Sequence, residues 1–228
     1  MKTRVLLLSI LCAGATSASA TLLTFDITNL GDGGTMPQTY GDRVTSLTNG
    51  SFSYGAGGGF TPGVLVDYFS PDAPIDLNLW TTGYNDLTNV LENEPDGEAS
   101  FTLRLTADPG SLVRLDGFDV GNYGGTITVP GIIITDGLGN TLFSRLNFVL
   151  PDSSQPFHQD YDFAGGLTAQ QINIFVDTTG LGGNSDNVGL DNVQFAQVVP
   201  EPSTWAALAA GGLLALGSLF HRRQSRTG

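Results

Sequence analysis

Carboxylates dominate the reactive side chains of this sequence. There are 22 Asp and Glu against nine Lys and Arg, with two histidines and one cysteine. Oxygen-rich, Gly- and Asn-bearing chains of this kind offer the ligands that calcium takes, six to eight oxygens from carboxylates, amides and carbonyls. The pair that the strand order brings to attention is Asp26 on the first strand-like segment and Asp191 on the last, since neighbouring terminal strands would bring them together. They are the expected calcium ligands. The alternative is a β-bulge in which Asp191 and Asn192 bond to the backbone, because Leu190, Val193 and Phe195 change phase there. Gly182 to Asn187 matches no complete calcium repeat, and the chain has no EF-hand loop.

A second group could recognise sugars. An aromatic plate flanked by carboxylates or amides suits the apolar face and hydroxyls of a saccharide. Trp80, Tyr84, Asn85 and Asp86 place that composition in one loop, with Tyr123 and the stretch Phe157 to Tyr161 as secondary candidates. Aromatics in sandwich loops also plug the ends of the core, and Trp80 can be read either way. Catalysis is poorly provided for. His158 lies in a Pro-flanked polar loop without a nucleophile-elbow sequence, and histidine clusters for metal hydrolysis are excluded by count. A glycosidase carboxylate pair has no signature in so acidic a chain. The sequence is therefore read as that of a non-enzyme.

The elements that must position these residues are strands. Phe101, Leu103 and Leu105 alternate with Thr102, Arg104 and Thr106, and Asp108-Pro109-Gly110 predicts a hairpin into Leu112 to Val120. Ile132 to Ile134 reads as a run buried on both faces, turned at 136–140 into Thr141 to Leu150. Gln171 to Asp177 and Val188 to Phe195 complete the series, after earlier strands at Leu22 to Ile27 and Val64 to Phe69. Met36 to Tyr54, Gly55 to Gly59, Asp76 to Asn93 and Pro151 to Phe163 read as loops, with brief pairing at Arg43 to Thr45. Eight or nine strands at this spacing predict an all-β, antiparallel two-sheet jelly-roll sandwich.

Both ends carry targeting segments. Lys2 and Arg4 precede an apolar run, and Ala18-Ser19-Ala20 suits signal peptidase, so residues 1–20 read as a signal peptide. Cys12 is lost with it, leaving no disulfide or thiol chemistry. Between residues 21 and 198 four arginines face 21 acids, a net charge of −17, which repels nucleic acid and anionic lipid. Residues 199–228 read as a tail in three parts: Pro200, Glu201 and Pro202; an uncharged stretch 204–220 that predicts a transmembrane helix; and a basic end at 221–226 with Arg222 and Arg223.

This tail resembles the PEP-CTERM sorting signal of Gram-negative bacteria that make extracellular polysaccharide. The resemblance implies an exosortase as partner, transient anchoring in the inner membrane with the C-terminus cytoplasmic, and transfer to the cell surface or matrix. A second resemblance, carried by Thr24 to Asp26, Pro37 to Val44 and Val188 to Val193, is to galactose-binding-like jelly rolls. It implies carbohydrate-binding-module architecture with a structural calcium between the first and last strands. The reading that follows is a matrix protein that binds or accompanies exopolysaccharide, with a purely structural, calcium-dependent surface protein as the alternative and a carbohydrate-active hydrolase as the third.

Overall fold

The structure, a computed structural model, describes residues 20–45, 55–72, 76–93 and 100–199. The segment read as a signal peptide, residues 1–19, and the tail from Pro200 onward, with the stretch read as a helix, lie outside the described residues; of the signal-peptide reading only Ala20 is described. No helix among the described residues is long and apolar enough to cross a membrane.

Among the described residues thirteen strands run in chain order: β1 (Thr21–Ile27), β2 (Gly34–Thr35), β3 (Gly55–Gly58), β4 (Val64–Phe69), β5 (Asn78–Trp80), β6 (Val90–Glu92), β7 (Ser100–Ala107), β8 (Leu112–Asn122), β9 (Ile127–Asp136), β10 (Thr141–Leu150), β11 (Gln159–Ala169), β12 (Gln171–Asp177) and β13 (Val188–Val198). They form two antiparallel sheets. The larger has the order β11-β8-β13-β6-β5-β2, with β1 also on β13 and β3 on β1; the smaller is β10-β9-β12-β7-β4. The chain changes sheet at β3/β4, β4/β5, β6/β7, β7/β8, β8/β9, β10/β11, β11/β12 and β12/β13, the alternation of a jelly roll.

Alternation drives the sandwich. Phe101, Leu103 and Leu105 on β7, Ile172, Ile174 and Val176 on β12, and Ile132 and Ile134 on β9 are fully buried from one sheet. Phe25, Val113, Leu115, Val120, Leu190 and Phe195 meet them from the other. Each such side chain contributes roughly 1.5–3 kcal/mol by leaving water. Their neighbours, such as Arg104 and Asn173, point outward and pair across the strands at 2.9 Å.

Several expectations are corrected. Asp108-Pro109-Gly110 does turn the chain, with the Ser111 N–H donating to the Asp108 carbonyl and Gly110 at φ +89°. Yet β7 and β8 do not pair. A turn with positive φ only at its third residue lacks the twist of hairpin turns and splays its strands, so it delivers β8 to the opposite sheet. The β9–β10 hairpin forms as expected, but Ile133 is only half-buried, because the sandwich covers one face of β9. Gly55–Gly58, read as a loop, pairs with β1, and β5 and β6 arise within the stretch read as a polar loop. The acidic stretch before Phe163 becomes β11, an edge strand whose Tyr161 faces the core while Asp160 and Asp162 face out. Its polar outer residues and its Gly165-Gly166 break hid the period.

Two bulges distort the larger sheet at the same level. In β1, Phe25 sits at φ +52° and gives its N–H to the Tyr40 hydroxyl at 3.0 Å, while register shifts between Leu23 and Ile27. In β13, Asn192 sits at φ +50°, and its N–H donates to Asp191 Oδ1 at 2.6 Å. The phase change read from Leu190, Val193 and Phe195 is this bulge. Next to it, Gly117 lets β11 approach β8: an added Cβ would meet the Tyr161 carbonyl oxygen at 2.5 Å. A backbone atom in a sheet cannot yield cheaply. Gly117→Ala should cost about 1–3 kcal/mol in urea unfolding, and an unchanged midpoint would mean that β11 is free to shift.

Candidate functional site

The outer face of the larger sheet carries a row of carboxylates. Asp119 on β8 is directly opposite Asp191 on β13, and on its other side it is directly opposite Asp160 on β11. Direct partners in a sheet share a face, with Cβ atoms roughly 4.5–5.5 Å apart, and like charges so placed repel. Asp26 extends the row on β1, which pairs with the C-terminal half of β13. The bulges at Phe25 and Asn192 sit where the row crosses β1 and β13, which is how terminal strands re-aim side chains toward one point.

Asp191 is 4% exposed. Burial, opposed by the Asn192 N–H and reinforced by the charges of Asp119 and Asp26, pushes its carboxyl up to about 8. The predicted pair Asp26 and Asp191 is thus brought within electrostatic reach, and Asp26 is also bonded by the Asn89 side-chain amide. Asp119 is likewise raised, first by burial, although the Asn192 side-chain amide donates to its Oδ2 at 2.9 Å.

His158 stands at the other end. Its Nδ1 lies 2.9 Å from Asp86 Oδ1, and its Nε2 lies 2.8 Å from Asp160 Oδ1 and 3.5 Å from Asp119 Oδ2. Burial pushes the imidazole pKa down, but the three carboxylates outweigh it and hold the pKa above the ordinary histidine value. Asp86, in turn, is lowered by its bond to His158.

The loop from Trp80 to Asn89 ties both ends of this row together. Asn89 reaches Asp26, Asp86 reaches His158, and Asn85 accepts the Asn122 N–H at 2.8 Å while donating to the Asp152 carbonyl at 3.1 Å. Asn85 and Asn89 both take positive φ, which asparagine tolerates better than most residues. Of the predicted sugar-contacting residues, Tyr84 is buried with its hydroxyl on the Asp186 carbonyl, and Trp80 is half-buried. Tyr123, 43% exposed, packs on both, 6.0 Å from Trp80 and 5.7 Å from Tyr84 between ring centroids. The exposed aromatic side chains here are Tyr123, supported by Trp80, and Phe157, the residue before His158.

Beside the row lies an open cleft of about 840 Å³ along β8, β11 and β13. Asp116, Asp119, Asp160 and Asp162 line it with Asn192 and Gln194, over a floor that includes Phe118 and Tyr161. These rings stack with centroids 4.9 Å apart, which fixes the strands that carry Asp119 and Asp160. Sequence reasoning missed Asp119 and Asp160 as site residues. Asp119 has a signal, the outward phase of a predicted strand, but Asp160 lay in a stretch read as loop, so their opposition was invisible.

No curated protein shows sequence similarity to the chain. Among solved structures, the CBM22-1 xylan-binding domain from Paenibacillus barcinonensis Xyn10C is 14% identical, with 82% of this chain and 99% of that one covered, at a TM-score of 0.29. The MgGH51 α-L-arabinofuranosidase is 10% identical over 81% of this chain and 31% of its own, at a TM-score of 0.33. The enzymatically active domain of bacteriophage CBA120 tailspike protein 4 is 19% identical over 68% of this chain and 21% of its own, at 0.29. Likenesses this distant say nothing about function. The tail is different: residues 198–223 match the PEP-CTERM protein-sorting motif, and the chain thereby carries the signal of an exported protein that an exosortase processes.

Proposed function

We propose that the chain is a protein of the bacterial envelope or extracellular matrix, and that its sandwich is a non-catalytic module that associates with exopolysaccharide. Its sorting motif supports the destination. The observation that supports the binding role is the cleft on the larger sheet, where carboxylate acceptors and the amides of Asn192 and Gln194 line one open groove. Such a groove offers hydroxyl-rich chains many hydrogen bonds and repels polyanions, so the ligand class is a neutral polysaccharide. The non-catalytic reading rests on the residue inventory, with one histidine and no cysteine between residues 21 and 198.

The test is retention on immobilised polysaccharides, measured with the full chain in detergent. Asp162→Ala combined with Gln194→Ala should weaken retention on a neutral polysaccharide about 30-fold, from two lost hydrogen bonds of ~1 kcal/mol each. Trp80→Ala should weaken it only if the chain of sugars extends onto Tyr123. Wild-type retention by the double variant would mean that the cleft does not hold the polysaccharide.

A second reading, the calcium-stabilised structural protein, is favoured by the approach of Asp26 to Asp191. The donor set fits the ion: it is all oxygen, and among the described residues the buried Asp191 carboxylate receives one hydrogen bond, on Oδ1. Calcium held by Asp26 and Asp191 would tie the first strand to the last. A melting temperature that rises with calcium, and does not rise in Asp26→Asn, is the expected result on this reading.

A further inference from the structure

We propose that His158, Asp119 and Asp160 form a binding site for a first-row divalent transition metal of the zinc class, beside the carboxylate of Asp191. The three residues offer one ligand atom each, all within 4.8 Å of one another. Bonds of about 2.0–2.2 Å put two ligand atoms of one ion roughly 3–3.5 Å apart. His158 Nε2 lies 2.8 Å from the Asp160 oxygen and 3.5 Å from the Asp119 oxygen, so the side chains need little movement to share an ion.

The cluster is more than a group of acids. His158 Nδ1 faces the Asp86 carboxylate at 2.9 Å. That bond keeps a proton on Nδ1 and aims Nε2 at Asp119 and Asp160; in the ion-free chain Nε2 donates to Asp160 at 2.8 Å, and an ion would take the place of that proton. Metal-bound histidines are held in this way, by a carboxylate behind the ring. A second observation points to a missing cation. Asp191 lies directly opposite Asp119 on the same face, is 4% exposed, and among the described residues receives one hydrogen bond, from the next residue's N–H. Its other oxygen has no donor among them, although the sheet holds it in a row with Asp119 and Asp160. Arg114, the arginine on β8, is engaged by Asp116 at 2.6 Å.

A nitrogen ligand decides the class of ion. Calcium and magnesium take oxygen, whereas imidazole with carboxylates suits zinc and its first-row neighbours. Three protein ligands leave a fourth position of a tetrahedral ion to water or another ligand. An ion there would link β8 to β11 and, through Asp86, to the Trp80–Asn89 loop.

The full chain, purified in detergent and stripped with chelator, would be titrated with zinc and, for its visible spectrum, with cobalt(II); calcium serves as the comparison. One ion per chain is expected, with cobalt bands of a nitrogen-containing site. His158→Ala should bind at least tenfold more weakly and lose those bands. Asp86→Asn should weaken binding about 10–100-fold while keeping a perturbed spectrum, as loss of an orienting carboxylate does. If His158→Ala melts below the wild type in chelator, Asp160→Asn, on an exposed side chain, replaces it as the test variant and should lose binding likewise. Absence of zinc and cobalt binding, binding unchanged in a folded His158 or Asp160 variant, or a response to calcium alone would each overturn the assignment.

Discussion

Asp191→Asn will stabilise the folded chain in the presence of chelator, and the gain will grow with pH. The carboxyl is raised from 3.8 to about 8 in the folded state, chiefly by burial. Below about pH 4 both folded and unfolded chains carry the proton, and above about pH 8 neither does. Between these limits the folded state binds more protons, so stability falls as pH rises. Asp119, also raised, acts in the same direction. So does His158: its raised pKa contributes stability that is complete below its unfolded value and lost as pH climbs through the folded one.

Asparagine removes the largest of these contributions and one of the facing charges. A tenfold difference in proton affinity between folded and unfolded chains corresponds to about 1.4 kcal/mol, so a gain of a few kcal/mol at pH 8 is expected, against roughly a third of that at pH 5. For a domain of this size that is roughly 5–10 °C in Tm. Thermal melts of wild type and variant at pH 5, 6.5 and 8 decide it. Parallel pH profiles would show that Asp191 ionises in the folded chain as it does in the unfolded one. With a cation bound to the row, the wild-type profile should flatten, because the ion takes over the work of the protons.

Phe118→Ala should be the most damaging single change near the site. Phe118 is 2% exposed and packs on Tyr161 and Phe163, at 4.9 and 5.9 Å between centroids. Truncating a buried phenylalanine costs about 3–5 kcal/mol, from lost transfer energy and the cavity left behind. The Tm should drop by roughly 10 °C or more. Phe118→Leu, which keeps most of the volume, should cost less than half as much. The effect should reach the site as well, because Asp119 and Asp160 follow and precede the stacked rings in their strands. A Phe118→Ala chain that melts as the wild type would mean that the β8–β11 edge contributes nothing to cooperative folding.

Some of this was legible without coordinates. The alternation of apolar and polar residues in β7 and β12 is a property of each strand alone, and burial of one face follows from it directly. The all-β class, the β9–β10 hairpin and the bulge at Asp191-Asn192 are local in the same sense. The sorting motif is local too, since its parts are contiguous in the tail. Even the approach of the first and last strands of the sandwich could be inferred, because β1 and β13 are both apolar on one face and each needs a neighbour.

What local pattern could not contain was the partner of each strand. Asp108-Pro109-Gly110 specifies a reversal, but whether β8 lies beside β7 or across the core depends on which sheet has room for its apolar face. The row Asp191, Asp119 and Asp160 joins residues that are up to 72 positions apart and follows only from register between β13, β8 and β11. A slip of one residue in either pair would turn the carboxylates to opposite faces. His158 next to Asp86 is a contact between two loops, each with no period of its own. By itself, the sequence determined that this is an acidic, exported β-sandwich with a sorting tail, because those features rest on composition and near-neighbour spacing. The tertiary structure alone decided that its carboxylates converge on one histidine, because convergence depends on long-range pairing and on two bulges set by packing.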